Sequence, residues 1–144
     1  ARHVDMELSA LILREPRLQP WTPAQPAMHM PGHMCHWHTL RFFRLEPTEV
    51  VRSAPACLMG ADRVSNAVRA AGHWHECKKL VQQWRTEAGG HAPAVFLEAG
   101  ANIGMCTLEM LVRTDAHALV FEPSPSNLFY LTSTLSRLAA GNPR

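Results

Sequence analysis

Glu98, Gly100, Ala101, Asn102 and Gly104 stand in one short turn behind an apolar run, and Glu122 ends the next apolar run. Two carboxylates around a glycine turn suit a ligand that carries both a cation and sugar hydroxyls. The glycines let the backbone pass close to such a ligand without a clashing Cβ. Glu122 follows the turn by about 20 residues, where a doubly wound sheet places the acid that binds ribose hydroxyls. The turn reads Glu-x-Gly-x-x-x-Gly, which departs from the Gly-x-Gly-x-x-Gly that admits a pyrophosphate against a helix N-terminus. S-adenosylmethionine has no phosphate. Its ammonium and sulfonium charges favour a carboxylate near the loop, and Glu98 is placed to supply one by Coulombic attraction. The acid before the glycines therefore favours a methyl donor over a nicotinamide.

The elements needed to position these residues are present in order. Val95 to Leu97 reads as a strand, Met105 to Val112 as a crossover helix, and Leu119 to Phe121 as a second strand. A right-handed crossover between parallel strands opens the turn Gly100 to Gly104 at the sheet's carboxyl edge, where ligands bind. After the second strand, Ser124 or Ser126 can cap a helix whose Leu128, Leu131, Leu135 and Leu138 form one stripe for the sheet.

Val95 to Leu138 resembles the start of an FkbM-type methyltransferase domain. That family's pattern is an apolar strand, Asp-x-Gly-Ala-Asn-x-Gly, then a strand ending Phe-Glu-Pro-x-Pro-x-Asn. Here those positions read Glu98-Ala99-Gly100-Ala101-Asn102-Ile103-Gly104 and Phe121-Glu122-Pro123-Ser124-Pro125-Ser126-Asn127, with Glu98 replacing the usual Asp. Upstream, Asp62-Arg63-Val64-Ser65-Asn66 and Gly72-His73-Trp74-His75-Glu76 are similar to the family's entry segment, which gives Glu76 a small functional weight.

The resemblance implies an α/β, Rossmann-like methyltransferase fold, incomplete here as a β-α-β-α half, because the chain stops at Arg144 before the strands that carry the adenine contact and acceptor pocket. It implies S-adenosylmethionine as cofactor and O-methylation of a small-molecule or sugar hydroxyl. Glu98 and the backbone of Gly100, Ala101 and Gly104 would hold the methionine portion, Asn102 would fix the loop, and Glu122 would bind the ribose; no catalytic base is assigned. The alternative is a catalytically inactive, methyltransferase-derived structural subunit of a larger protein assembly, an organellar one among the options. In that case protein partners would use the N-terminal arm and an exposed sheet edge.

Composition narrows the classes further. With 144 residues, 47% hydrophobic and 18% charged, the chain has one domain's worth of core. A net charge of +2 without a basic run leaves no electrostatic footprint for nucleic acid. Cys35, Cys57, Cys77 and Cys106 form no Cys-x-x-Cys pair, so reduced thiols in an intracellular compartment, cytoplasm or organelle lumen, are expected. Leu18 to Leu40 lacks formal charge, but Pro20, Pro23, Pro26 and Pro31 exclude a lipid-spanning helix there. No signal peptide is expected.

Residues 1–58 are expected to form an irregular Pro/His-rich arm, and residues 59–144 the Rossmann-like part. Val4 to Leu13 has helical apolar spacing that Pro16 terminates, and Pro20 to Pro31 favours extended backbone. His29, His33, Cys35, His36 and His38 are side chains that zinc or copper would choose. Their spacing fits no metal motif and Pro31-Gly32 breaks any helical register, so hydrogen-bonded or solvated histidines are expected. Leu40 to Leu45 and Val50 to Leu58 suit a hairpin or an edge addition. Asp62 to Ala71 and His75 to Ala88 read as helices, the second closed by Gly89-Gly90, with Trp74 and Trp84 as core or lid anchors.

Overall fold

The computed structural model describes residues 9–14, 17–21, 29–42, 47, 52–87 and 94–141. Its elements run β1 (Ser9–Arg14), β2 (Arg17–Trp21), β3 (His36–Phe42), β4 (Arg52–Leu58), α1 (Arg63–Ala71), α2 (His75–Glu87), β5 (Val95–Ala99), α3 (Met105–Arg113), β6 (His117–Phe121) and α4 (Pro125–Ala140). The architecture is mixed α/β, with four helices and two small sheets among the described residues.

The larger sheet has the order β2-β1-β6-β5. β5 and β6 run parallel, with Glu98 opposite Val120 and Ala99 opposite Phe121, and α3 connects them. β1 lies parallel to β6 through Ser9–Leu119 and Ala10–Val120, and antiparallel to β2. This corrects the helix expected over Val4 to Leu13: residues 9–14 are strand, and residues 4–8 lie outside the described ones. A short apolar run fits either period, and an isolated helix of that length is marginal, whereas β6 offers a ready ladder of backbone partners. Pro20 sits in the edge strand β2, where a missing N–H is tolerated.

The expected hairpin is present as β3 and β4, antiparallel from His36–Leu58 to Phe42–Arg52. β3 begins at His36, earlier than Leu40, and residues 43–46 lie outside the described ones. Leu40, Phe42, Ala54, Ala56 and Leu58 of this hairpin are buried against Val68 of α1, Cys77 of α2, Met105 and Leu108 of α3, and Tyr130 of α4. A second cluster joins Phe96, Ala118 and Val120 of the larger sheet to Val81, Met110, Leu111, Leu128, Leu131 and Leu135. α3 and α4 thus contribute to both clusters, and each leucine so buried is worth roughly 1.5–3 kcal/mol. Packing is continuous across residue 58, since the Cys57 N–H donates to Thr134 Oγ1 at 2.9 Å.

Local signals account for the helix boundaries. Asp62 accepts from the Ser65 N–H and starts α1; Gly72, at φ 75°, ends it and donates to the Val68 carbonyl. Ser124 rather than Ser126 caps α4, accepting from the Asn127 N–H. The Gly89-Gly90 stop expected after α2 lies outside the described residues.

The cysteines overturn the expectation of reduced thiols. Cys35 is bonded to Cys57 and Cys77 to Cys106, over separations of 22 and 29 residues. The hairpin brings the first pair together and the packing of α2 on α3 the second, so spacing alone could not display either. No described helix is long and apolar enough to cross a membrane.

Candidate functional site

The loop between β5 and α3 is set by its backbone. Gly100, Asn102 and Gly104 all have positive φ, at 79°, 55° and 80°. The Gly100 and Ala101 N–H groups both donate to the Phe121 carbonyl, at 2.8 and 3.2 Å, which folds the loop over the end of β6. The Gly104 N–H donates to the Ala101 carbonyl at 2.9 Å and closes the turn into α3.

The two glycines answer different demands. A Cβ on Gly104 would stand 2.1 Å from Leu131 Cδ1, so this glycine lets α3 approach α4. A Cβ on Gly100 would meet nothing within 4 Å. Gly100 is therefore required by its conformation and borders open space. Asn102 is among the few non-glycine residues that adopt positive φ readily, and it is exposed, whereas Ala101 is buried.

Glu122 lies at the carboxyl end of β6 and is buried. Its Oε2 accepts from the Asn102 N–H at 2.6 Å, and its Oε1 accepts from the Ser124 N–H at 2.8 Å and Asn127 Nδ2 at 3.2 Å. A carboxylate has about four acceptor positions, so one remains, on Oε2. Glu122 thus holds the loop to the start of α4 and keeps capacity for one further donor.

Glu98 shares its face of β5 with Phe96 and points toward the first turn of α3. Its Oε2 accepts from the Thr107 hydroxyl. α3 has no side-chain cap at Gly104, so Glu98 supplies negative charge to the helix start. Burial raises the Glu98 carboxyl above its ordinary 4.5; the hydrogen bonds from Thr107 oppose this, and the charge of Glu122 adds to the rise. Among the described residues no Lys, Arg or His is ion-paired with Glu98 or Glu122. A cation placed beside the two carboxylates would stabilise their ionised state.

Glu98, Gly100, Ala101, Asn102, Gly104 and Glu122 are thus brought together at the carboxyl ends of two adjacent parallel strands. The sequence reading missed Thr107, Ser124 and Asn127 as partners of the two acids. Ser124 and Asn127 stand within the Phe-Glu-Pro-x-Pro-x-Asn stretch, and Thr107 three residues past Gly104, so the hydroxyl and amide types there were the available signal.

The histidine-rich segment does not assemble a centre. Cys35 is disulfide-bonded, His33 contacts Ser126, and His29 and His36 are exposed, with His38 half-buried on β3. Among the described residues no group of three or more His, Cys, Asp or Glu side chains could hold a metal ion. Trp84 packs edge-on against Phe96 at 6.0 Å, as a core anchor should. Trp74 donates from Nε1 to Glu76 at 3.0 Å, with Glu76 exposed.

No protein-family model, curated protein or solved structure matches the chain.

Proposed function

We propose that this chain belongs to an S-adenosylmethionine-dependent methyltransferase of FkbM-like type, acting on a small-molecule or sugar hydroxyl, with β5, α3 and β6 as the first part of a doubly wound sheet. The observation that carries this reading is the pair Glu98 and Glu122 at the ends of two adjacent parallel strands, joined by a positive-φ loop that borders open space at Gly100.

The residues present fit the donor in type. When bound, the donor would supply a methyl group already activated by its sulfonium charge. The Glu98 and Glu122 carboxylates would offset that charge and the ammonium in a partly desolvated setting. Gly100 would leave room for the methionine portion, and the remaining position on Glu122 Oε2 could accept from one ribose hydroxyl. Asn102, tied through its N–H to Glu122, keeps the loop in place before any ligand arrives, which lowers the ordering cost of binding.

Isothermal titration with S-adenosylhomocysteine tests the reading. Binding is expected at a protein concentration near 100 micromolar, a threshold of about 5 kcal/mol in affinity. Gly100→Val should abolish that binding with a smaller effect on folding. Absence of heat in the wild type would sink the proposal.

A second reading, a methyltransferase-derived structural subunit, is favoured by one observation. Val95 and Leu97 on β5 are 57% and 61% exposed, while Phe96 between them is buried. Parallel sheets are ordinarily covered on both faces, and a partner would cover this one. Under either reading, the two disulfides favour an oxidising compartment over a reducing one.

A further inference from the structure

We propose that Ser126 and His33 form a nucleophile–base pair that cleaves small carboxylic esters, an activity independent of methyl transfer. His33 Nε2 lies 2.8 Å from Ser126 Oγ, across 93 residues of sequence. The approach is built by a turn: the His33 N–H donates to the Met30 carbonyl at 3.1 Å, with Pro31 and then Gly32, at φ 79°, between them. Proline followed by a positive-φ glycine is the pairing a type II turn requires. The Cys35–Cys57 disulfide then pins the chain two residues beyond His33.

Nδ1 lies 3.4 Å from the Pro31 carbonyl oxygen, which can only accept. In the neutral tautomer with the proton on Nδ1, Nε2 is bare and accepts from the Ser126 hydroxyl. This is the arrangement a general base needs to activate a serine. Phe129 and Tyr130 flank the imidazole, with ring centroids at 5.7 and 6.0 Å, and restrict its swing. Ser126 lies in the first turn of the 16-residue helix α4, whose positive end favours a developing alkoxide and a carbonyl oxyanion. Both residues are half-buried, and the aromatic walls fit an ester of a small apolar or aromatic acid.

In the reaction, Ser126 Oγ bonds to the ester carbonyl carbon while His33 Nε2 takes the hydroxyl proton. The bond to the alcohol oxygen breaks, and His33 returns the proton to that leaving group, leaving an acyl-serine. Water then repeats the sequence with His33 as base, releasing the acid and restoring the serine.

The test is reaction of the full chain with an alkyl fluorophosphonate, followed by peptide mass spectrometry, with circular dichroism melts confirming that each variant is folded. Ser126 is expected to be phosphonylated with loss of fluoride, and Ser126→Ala to abolish that adduct. His33→Gln should slow labelling about 100-fold, the lower range for loss of a general base. His33→Ala should regain labelling when imidazole is added, which a purely structural contact would not produce. The proposal fails if wild-type Ser126 stays unmodified, if Ser124 and Ser133 label as fast as Ser126, or if folded His33→Gln labels at the wild-type rate.

Discussion

The Asn102 N–H donates to Glu122 Oε2 at 2.6 Å, so the glycine loop after β5 is fastened to the acid that ends β6. The carboxylate that would read a ribose is therefore also the one that shapes the loop beside it. Under the proposed function, donor binding and loop order would be coupled through this one side chain.

Replacing Glu122 with Gln tests this coupling. An amide nitrogen would face the Asn102 N–H or the donors from Ser124 and Asn127, leaving part-buried donors without acceptors. The expected loss is about 1–3 kcal/mol, read by urea denaturation. An unchanged midpoint would mean that these bonds contribute nothing net.

Gly104→Ala should destabilise more than Gly100→Ala. Both positions have positive φ, but only at Gly104 would the new Cβ strike Leu131. Strain from positive φ costs roughly 1–2 kcal/mol at either site, and overpacking adds about 1–3 at Gly104. The paired denaturation curves check the order, and Leu131→Ala should recover part of the Gly104→Ala loss beyond additivity.

Glu98 gives stability a pH dependence of defined sign. Its folded-state value is raised, so the folded chain binds its proton more tightly than the unfolded chain. Its contribution is fully present below the ordinary 4.5 and is lost as pH rises through the raised folded value. Denaturation across that window should show Glu98→Gln gaining on the wild type as pH increases. A stability difference, Glu98→Gln minus wild type, that stays constant or falls as pH rises would refute the assignment.

Reduction should weaken the chain substantially. Loops of 22 and 29 residues correspond to about 3–4 kcal/mol each in the chain-entropy account. Melting with and without a phosphine reductant measures the sum. Cys77–Cys106 ties α2 to the first turn of α3, so Cys77→Ala with Cys106→Ala should also reduce order in the loop before α3, seen as faster amide exchange at Ile103 and Gly104.

The elements that hold the loop were legible because their periods and boundary residues agree. Leu128, Leu131 and Leu135 form the buried stripe expected of α4, and Asp62 and Ser124 cap where their types allow. β1 was misread because Leu11, Ile12 and Leu13 fit two periods, and only β6, far along the chain, decides between them. The disulfides and the His33–Ser126 contact were hidden for the same reason: their partners are set by packing, not by spacing. Glu122 was placed correctly at the strand end, but its role in bonding the loop depends on backbone N–H groups that no side-chain pattern displays.

The pairing of Ser9 with Leu119 spans 110 residues, the difference of the two numbers. The β1–β2 hairpin precedes β6 in the chain, so the strand beside it arrives only after the intervening elements. Contacts this distant in sequence slow folding, and until they form, β1 presents an unpaired edge to other chains. A nascent chain therefore carries one edge of Ser9–Arg14 unguarded until β6 emerges, and a chaperone that masks strand edges would act there in that interval.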